Sequence, residues 1–299
     1  MSDYGRELQF GVFVTPSPEL LENSYAIAQI ADQHLDFIGV QDHPYQKHFL
    51  DAWAFMSTLL SRTHRVRVVP DVANLPLHNP AIIAKMAASL DLISGGRMEL
   101  ALGAGAFWDA VVAMGGPRRS PREAAGALVD AVEVTRLMWS GQRSARYDGE
   151  FYGLHGVHPG PQPAHDMQIW LGVSGPKLLR YLGGHADGWL PSNSYYGPDA
   201  LPEMNQRIDR GAADAGRDPA SIVRAYNVFG EIGLDDSDDP FGGTVSQWTS
   251  TLTSLAVETG MDTFIFGAPD DDLTQTRRFA EEVVPAVRSA VEEKRRQRS

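Results

Sequence analysis

The segment Gly172-Val173-Ser174-Gly175-Pro176-Lys177 carries the clearest chemistry in this chain of 299 residues. Glycine lets a backbone approach a ligand closely, and proline suits the first position of a helix. The N–H groups at such a helix start attract an anion, and Lys177 adds a charge-assisted contact. The segment therefore reads as a phosphate cradle; the alternative is a plain loop with a well-formed cap. A second polar group interrupts "FIGVQDHPYQKH", residues 37–48, where four apolar residues give way to Gln41-Asp42-His43-Pro44. Either this is an ordinary turn, with Asp42 as its cap, or a buried strand delivers Asp42 and His43 to a site. Arg118, Arg119 and Arg122 cluster before a helix start, where cations oppose the macrodipole at a few tenths of a kcal/mol each. An anionic ligand tail would offset that cost, although a solvated rim is the commoner outcome.

Other chemistries are absent from the sequence. None of the lysines (Lys47, Lys85, Lys177, Lys294) falls inside an apolar run that reads as a strand, where a Schiff-base enzyme would want one. There is no His-Glu-x-x-His and no His-x-His at the end of the first strand, which argues against a metallohydrolase. His155, His158 and His165 are spaced too irregularly to suggest a metal site. "GAGAFW" lacks the third glycine and the acid of a dinucleotide fingerprint. Zero cysteines rule out disulfides and thiolate chemistry. The net charge of -12 gives no support to a nucleic-acid surface. No apolar stretch is long enough for a membrane span, and no leader is visible, so the expected setting is cytoplasmic.

These residues must be positioned by something, and the hydrophobic pattern says what. "LQFGVFV", "FIGV", "VRVVPDVA" and "RMELALGAG" read as buried strands, and their centres repeat about every 30 residues, the length of one βα unit. Between them run amphipathic segments: one after Ser17-Pro18, one capped by Asp51, and one opened by Asn79-Pro80 and closed by Ser94-Gly95-Gly96. Ser120-Pro121-Arg122-Glu123 is a capping box opening a helix to about Trp139. The Gly-, Pro- and His-rich residues from about 141 to 167 read as an insertion, with a small hairpin around Asp148-Gly149. Strands resume at "MQIWLGV", "DGWLP", "SIVRAYNVFGEIG" and "DTFIFGA", before a closing helix with Pro285 as its kink. Eight strands and about eight helices predict a single (β/α)8 TIM barrel, α/β in class, spanning residues 1–299 with an insertion between strand 4 and strand 5. An open doubly wound sheet is the rival. In a barrel the active site gathers at the C-terminal ends of the strands. That is where Asp42-His43, Asp71-Val72-Ala73-Asn74, Gly103-Ala104-Gly105 and Ser174-Gly175-Pro176-Lys177 fall.

At those residues the chain resembles the luciferase-like flavin and deazaflavin oxidoreductases. The blocks that carry the resemblance are "FIGVQDH", "LPLHNPAIIAKMAASLDLISGGRMELALGAG", "IWLGVSGPKLLRYLGGHADGWLPS" and "DTFIFGAPDDDLTQTRRFAEEVVPAVR". The resemblance implies a (β/α)8 barrel with a ring cofactor at its mouth, and a non-prolyl cis peptide at Asp71–Val72. It implies Asp42 beside the ring, His43 as the acid/base, and Gly103, Ala104 and Gly105 near the cofactor. Ser174 to Lys177 would be the phosphate turn, in a Gly-Pro form closer to the deazaflavin branch. A histidine titrating near neutrality suits proton transfer.

The implied cofactor is coenzyme F-420, an 8-hydroxy-5-deazaflavin, exchanging a hydride with an organic small-molecule substrate. The alternative is an FMN-dependent monooxygenase that uses oxygen and a separate flavin reductase. A third class is a flavin-binding relative without turnover, whose mark would be an occluded mouth. A homodimer is expected from the resemblance alone. Two departures bear on substrate. Lys47 stands near the place where the sugar-phosphate dehydrogenases of the family carry a tryptophan, and Ala106-Phe107-Trp108 stand where they use a glutamate. Glucose 6-phosphate is therefore not expected; an apolar, aromatic wall suggests a larger or less charged substrate.

Overall fold

The computed structural model describes residues 3–298. Eight parallel strands form the barrel: β1 (Gln9–Val14), β2 (Phe37–Val40), β3 (Arg67–Pro70), β4 (Leu100–Gly103), β5 (Ile169–Gly172), β6 (Gly188–Trp189), β7 (Val223–Phe229) and β8 (Thr263–Gly267). Each pairs with its neighbour, and β8 returns to β1 through Gln9↔Thr263 to Val12↔Phe266. Between β3 and β4 the pairing comes in two pieces, a bridge from Val68 to Met98 and then Ala73–Asn74 against Leu102–Gly103. The sheet is closed, so the open doubly wound alternative is excluded.

Inward and outward positions alternate along every strand, as the pleat requires. Phe13, Phe37, Val69, Ala101, Trp170, Leu190, Val223, Ala225 and Ile265 point in and form the barrel's own core. Their neighbours, among them Phe10, Ile38, Leu100, Tyr226 and Phe264, pack against the helices in a larger outer core. Toward the C-terminal ends the inward position passes to glycine on β4 and β5. A Cβ on Gly103 would come within 2.6 Å of Val72, and one on Gly172 within 3.1 Å of it. Small residues there leave room above Val72 instead of filling the barrel to its rim.

The helices are α1 (Leu21–His34), α2 (Ala52–Arg62), α3 (Pro80–Ser94), α4 (Trp108–Ala113), α5 (Pro121–Trp139), α6 (Pro176–His185), α7 (Leu201–Asp214), α8 (Val245–Ser254), α9 (Leu273–Arg278) and α10 (Val284–Arg298). Asp51 caps α2, Asn79 caps α3 and left-handed Gly95 closes it, and Ser120 with Glu123 forms the capping box of α5. Ser17 does not act as a cap: a short 3-10 turn, Pro18–Leu20, leads into α1, and no side-chain bond forms at Ser17. Between α9 and α10 a π-turn, Phe279–Val283, takes up the break set by Pro285. Proline there has no N–H to return to the preceding turn. The insertion carries the hairpin Ala145–Asp148 with Gly153–Val157. Asp130 of α5 anchors its loop, accepting from Tyr147 Oη at 2.8 Å and from the Phe151 and Tyr152 N–H groups.

The end of the barrel away from the mouth is tied by charge. Buried Glu99 takes Arg67 at 3.0 Å and His165 Nε2 at 3.3 Å, while His165 Nδ1 lies 2.9 Å from buried Asp91. Two carboxylates raise the His165 pKa to about 9. A histidine held above its unfolded value of about 6.5 contributes its full stability below that pH and loses it as pH rises through about 9. His165→Gln is thus expected to lose about 1–3 kcal/mol near pH 6, with the gap to the parent closing above pH 9. Urea melts of both proteins at several pH values would check this.

Candidate active site

The four polar strand ends meet. They line one cavity of about 1120 Å³ at the barrel mouth, with Asp42 and His43 after β2, Asp71, Val72 and Asn74 after β3, Gly103, Ala104 and Gly105 after β4, and Ser174, Gly175, Pro176 and Lys177 after β5. Every residue that the resemblance assigns to catalysis or to the cofactor therefore borders the same space. The volume exceeds the roughly 300–1,000 Å³ of ordinary small-molecule sites, enough for a ring and a second molecule.

His43 is held by three neighbours. Gln41 Nε2 lies 2.9 Å from His43 Nδ1; with the amide in this orientation it donates, and the neutral ring then carries its own proton on Nε2. Tyr45 stacks on the imidazole with ring centroids 5.3 Å apart, and Phe107 meets it edge-on at 5.5 Å. Burial lowers the His43 pKa below its usual 6.5, because an apolar surround disfavours the charged form. The same surround pushes the Tyr45 hydroxyl up to about 12.

Asp42 sits deeper than a residue facing a ligand would need to. It is 2% exposed, and its Oδ2 accepts from the Asn74 N–H at 2.9 Å, fastening the β2 turn to the end of β3. Burial raises its pKa. The peptide joining Asp71 to Val72 is cis. Asp71 and Asn227 occupy the floor, 9% and 5% exposed, with Asn227 Nδ2 donating to Asp71 Oδ1 at 2.8 Å. Burial pushes the Asp71 carboxyl up to about 7.

At the other side of the site, α6 starts with Gly175 as its N-cap and Pro176 as its first residue, and no side chain caps it. A Cβ at Gly175 would meet nothing within 4 Å, so the helix start is open to a ligand. Lys177 lies exposed beside it and, among the described residues, makes no hydrogen bond or ion pair. The three arginines divide. Arg118 pairs with Asp109, and Arg119 binds the Tyr152 hydroxyl at 3.1 Å; Arg122 alone borders the cavity. The donor set thus fits a phosphate tail: free helix N–H groups, one lysine and one arginine.

The aromatic wall expected around Ala106-Phe107-Trp108 is present. Phe107, at φ 53°, opens α4, and both Phe107 and Trp108 line the cavity with Phe13, Tyr45, Tyr195 and Phe229. Phe107, Val112, Met114 and Tyr195 are 54%, 42%, 52% and 72% exposed. Lys47 does not border the cavity. Sequence reasoning missed Gln41, Asn227, Phe229 and the loop from Leu190 to Tyr196. Gln41 adjoins the Asp-His pair, and the others lie at the ends of β6 and β7, where the strand-end rule applies equally.

Among the described residues no group of His, Asp or Glu side chains could hold a metal ion, and no helix is long and apolar enough to cross a membrane. The family described as luciferase-like monooxygenase matches residues 8–238. The 5,10-methylenetetrahydromethanopterin reductase of Archaeoglobus fulgidus is 28% identical over 214 residues, 70% of this chain but only 60% of that protein. An F-420-dependent glucose-6-phosphate dehydrogenase of Nocardia farcinica is 27% identical over 252 residues, 79% of this chain and 75% of that one. The solved structure of an F-420-dependent secondary alcohol dehydrogenase with an F-420–acetone adduct superimposes with a TM-score of 0.82 at 21% identity, over 94% of this chain and 99% of that chain.

Proposed function

The chain belongs to the luciferase-like monooxygenase family, and from that membership we propose that it is an oxidoreductase working with coenzyme F-420 at the barrel mouth on an uncharged organic substrate. The observation that carries the reading is the convergence of the uncapped α6 start, Lys177 and Arg122 with His43 around one cavity. Curated relatives that work on F-420 or reduce a methylene-bearing pterin support it. The family's description as monooxygenases keeps FMN as the second reading, with a separate flavin reductase supplying electrons.

When bound, F-420 supplies the carbon that gives or takes the hydride; this chain's residues do the rest. The helix start, Lys177 and Arg122 would hold the anionic tail. With cofactor and substrate in place, the aromatic wall would close over them and keep water from the polar contacts within. His43 moves the proton that accompanies the hydride. Below its depressed pKa both ring nitrogens are protonated, the Gln41 amide turns its oxygen to accept from Nδ1–H, and Nε2 gives up its proton. Above it, Nε2 can accept once the Gln41 amide turns its oxygen toward a proton on Nδ1. An amide can partner either tautomer, which a carboxylate cannot do. With both cavity cations assigned to the tail, the remaining wall suits a substrate without charge.

Titrating the purified protein with F-420 and with FMN, each followed by its own fluorescence, tests the reading. Tighter binding of F-420 is expected; micromolar FMN binding without F-420 binding would reverse the order of the two readings. Lys177→Ala and Arg122→Ala should each weaken F-420 about fivefold, near 1 kcal/mol for an exposed pair, and the loss should shrink as salt rises.

A further inference from the structure

Two acceptors in the cavity floor have no donor. Asp71 Oδ2 and Asn227 Oδ1 are both buried and both without a hydrogen-bond partner, although the two side chains are joined through their other atoms. They sit on the inner barrel core, with Phe13, Leu190 and Ile265 in that core and Val72 and Phe229 packed on it. A Cβ at Gly39 would lie 2.9 Å from Asp71 Oδ2, so the small residue on β2 makes room for the carboxyl. No arginine or lysine pairs with Asp71 among the described residues.

Such an arrangement is costly for folding alone. Each buried acceptor left unpaired costs about 1–3 kcal/mol, and an apolar pair would pack here without that cost. Both residues line the cavity; the two free oxygens are themselves covered, so a ligand reaches them once the side chains turn toward it. We propose that Asp71 and Asn227 form a polar socket for a hydrogen-bond donor, a hydroxyl or a ring N–H, on the group that lies deepest in the cavity. The proposal rests on reading this cavity as the ligand site. With Asp71 ionised it excludes an anionic group, which would face a carboxylate and an amide oxygen with no cation. It also disfavours a methyl-bearing edge, which would leave both acceptors orphaned. The donor can come from the cofactor ring or from the substrate.

The experiment uses the full chain and two pairs of probes: F-420 with FMN, and phenol with its donor-free isostere toluene. The parent protein should bind phenol at least about tenfold tighter than toluene, since a site built around polar partners rejects analogues that lack them. Asp71→Leu and Asn227→Leu should each abolish that preference; each also breaks the bond between the two side chains and should lower the Tm, whereas the double replacement by leucine should leave the Tm unchanged or higher. If the variants also weaken F-420 about tenfold, the cofactor supplies the donor; if F-420 affinity is unchanged, the substrate does. If neither variant alters F-420 binding or the phenol preference, the socket is disproved. A parent that binds neither F-420 nor FMN but still prefers phenol would end the cofactor reading and leave the socket standing. Should Asp71→Leu fail to fold, Asn227→Leu decides alone.

Discussion

His43→Ala should slow turnover by about 10²–10⁴-fold, the usual contribution of a positioned acid or base, and leave F-420 affinity where it was. The imidazole lies against Tyr45, Phe107 and Gln41. None of the groups assigned to the tail depends on it. The rate is read as the change in F-420 absorbance with a substrate the parent turns over, beside a separate binding titration. The pH profile adds a readout that a packing defect would not mimic. With the His43 pKa lowered by burial, the parent's profile should bend at a pH below 6.5, and the variant's should lose that limb. In the direction where the imidazole gives up a proton, activity falls as pH rises through the bend; in the other direction it climbs. Full turnover in the variant would remove the proton-transfer role and spare the cofactor assignment.

Gly211→Ala should cost about 3 kcal/mol or more, at the upper end of what overpacking does, even though alanine is the better helix former. Helices α6 and α7 touch backbone to backbone. A Cβ on Gly211 would come within 1.9 Å of the Arg180 carbonyl oxygen, and one on Gly183 within 2.0 Å of that of Ile208. Neither carbonyl can yield without moving its helix. Because α6 opens at Pro176, pushing it off α7 also displaces the turn that presents Lys177. The variant should therefore melt about 5 °C lower and bind F-420 more weakly, measured by calorimetry and by titration. A lower melting temperature with unchanged affinity would show that the turn is held by β5 rather than by the helix seat.

Much of this was legible in the chain because buried parallel strands leave continuous apolar runs, and those runs are punctuated where chemistry occurs. All eight strands fall where the runs predict them. "FIGVQDH" shows a strand ending in polar residues, and "GVSGPK" shows a helix start with nothing to cap it. The short strand β6 was found too, yet the residues after it were not read as part of the site. Nothing in "LPSNSYY" or "VRAYNVF" marks its polar residues as inward-facing. Asn227 becomes informative only once its register beside Ser192 and its bond to Asp71 are known. Asp42 teaches the converse. Its position was anticipated, but its carboxylate turns back to the Asn74 N–H, a long-range contact that no local pattern encodes. Ser17 offered a cap that the 3-10 turn at Pro18 left unused.

The bare rings and methyls around α4 have an outcome beyond substrate choice. Phe107 and Tyr195 give the entrance two bare aromatic rings on a protein of net charge -12. On a phenyl resin these rings should add to the retention given by the exposed Ile93 and Leu234 elsewhere on the surface. A guest that covers Phe107 and Tyr195 should then bring elution forward, which turns a column into an occupancy assay for candidate substrates without any turnover.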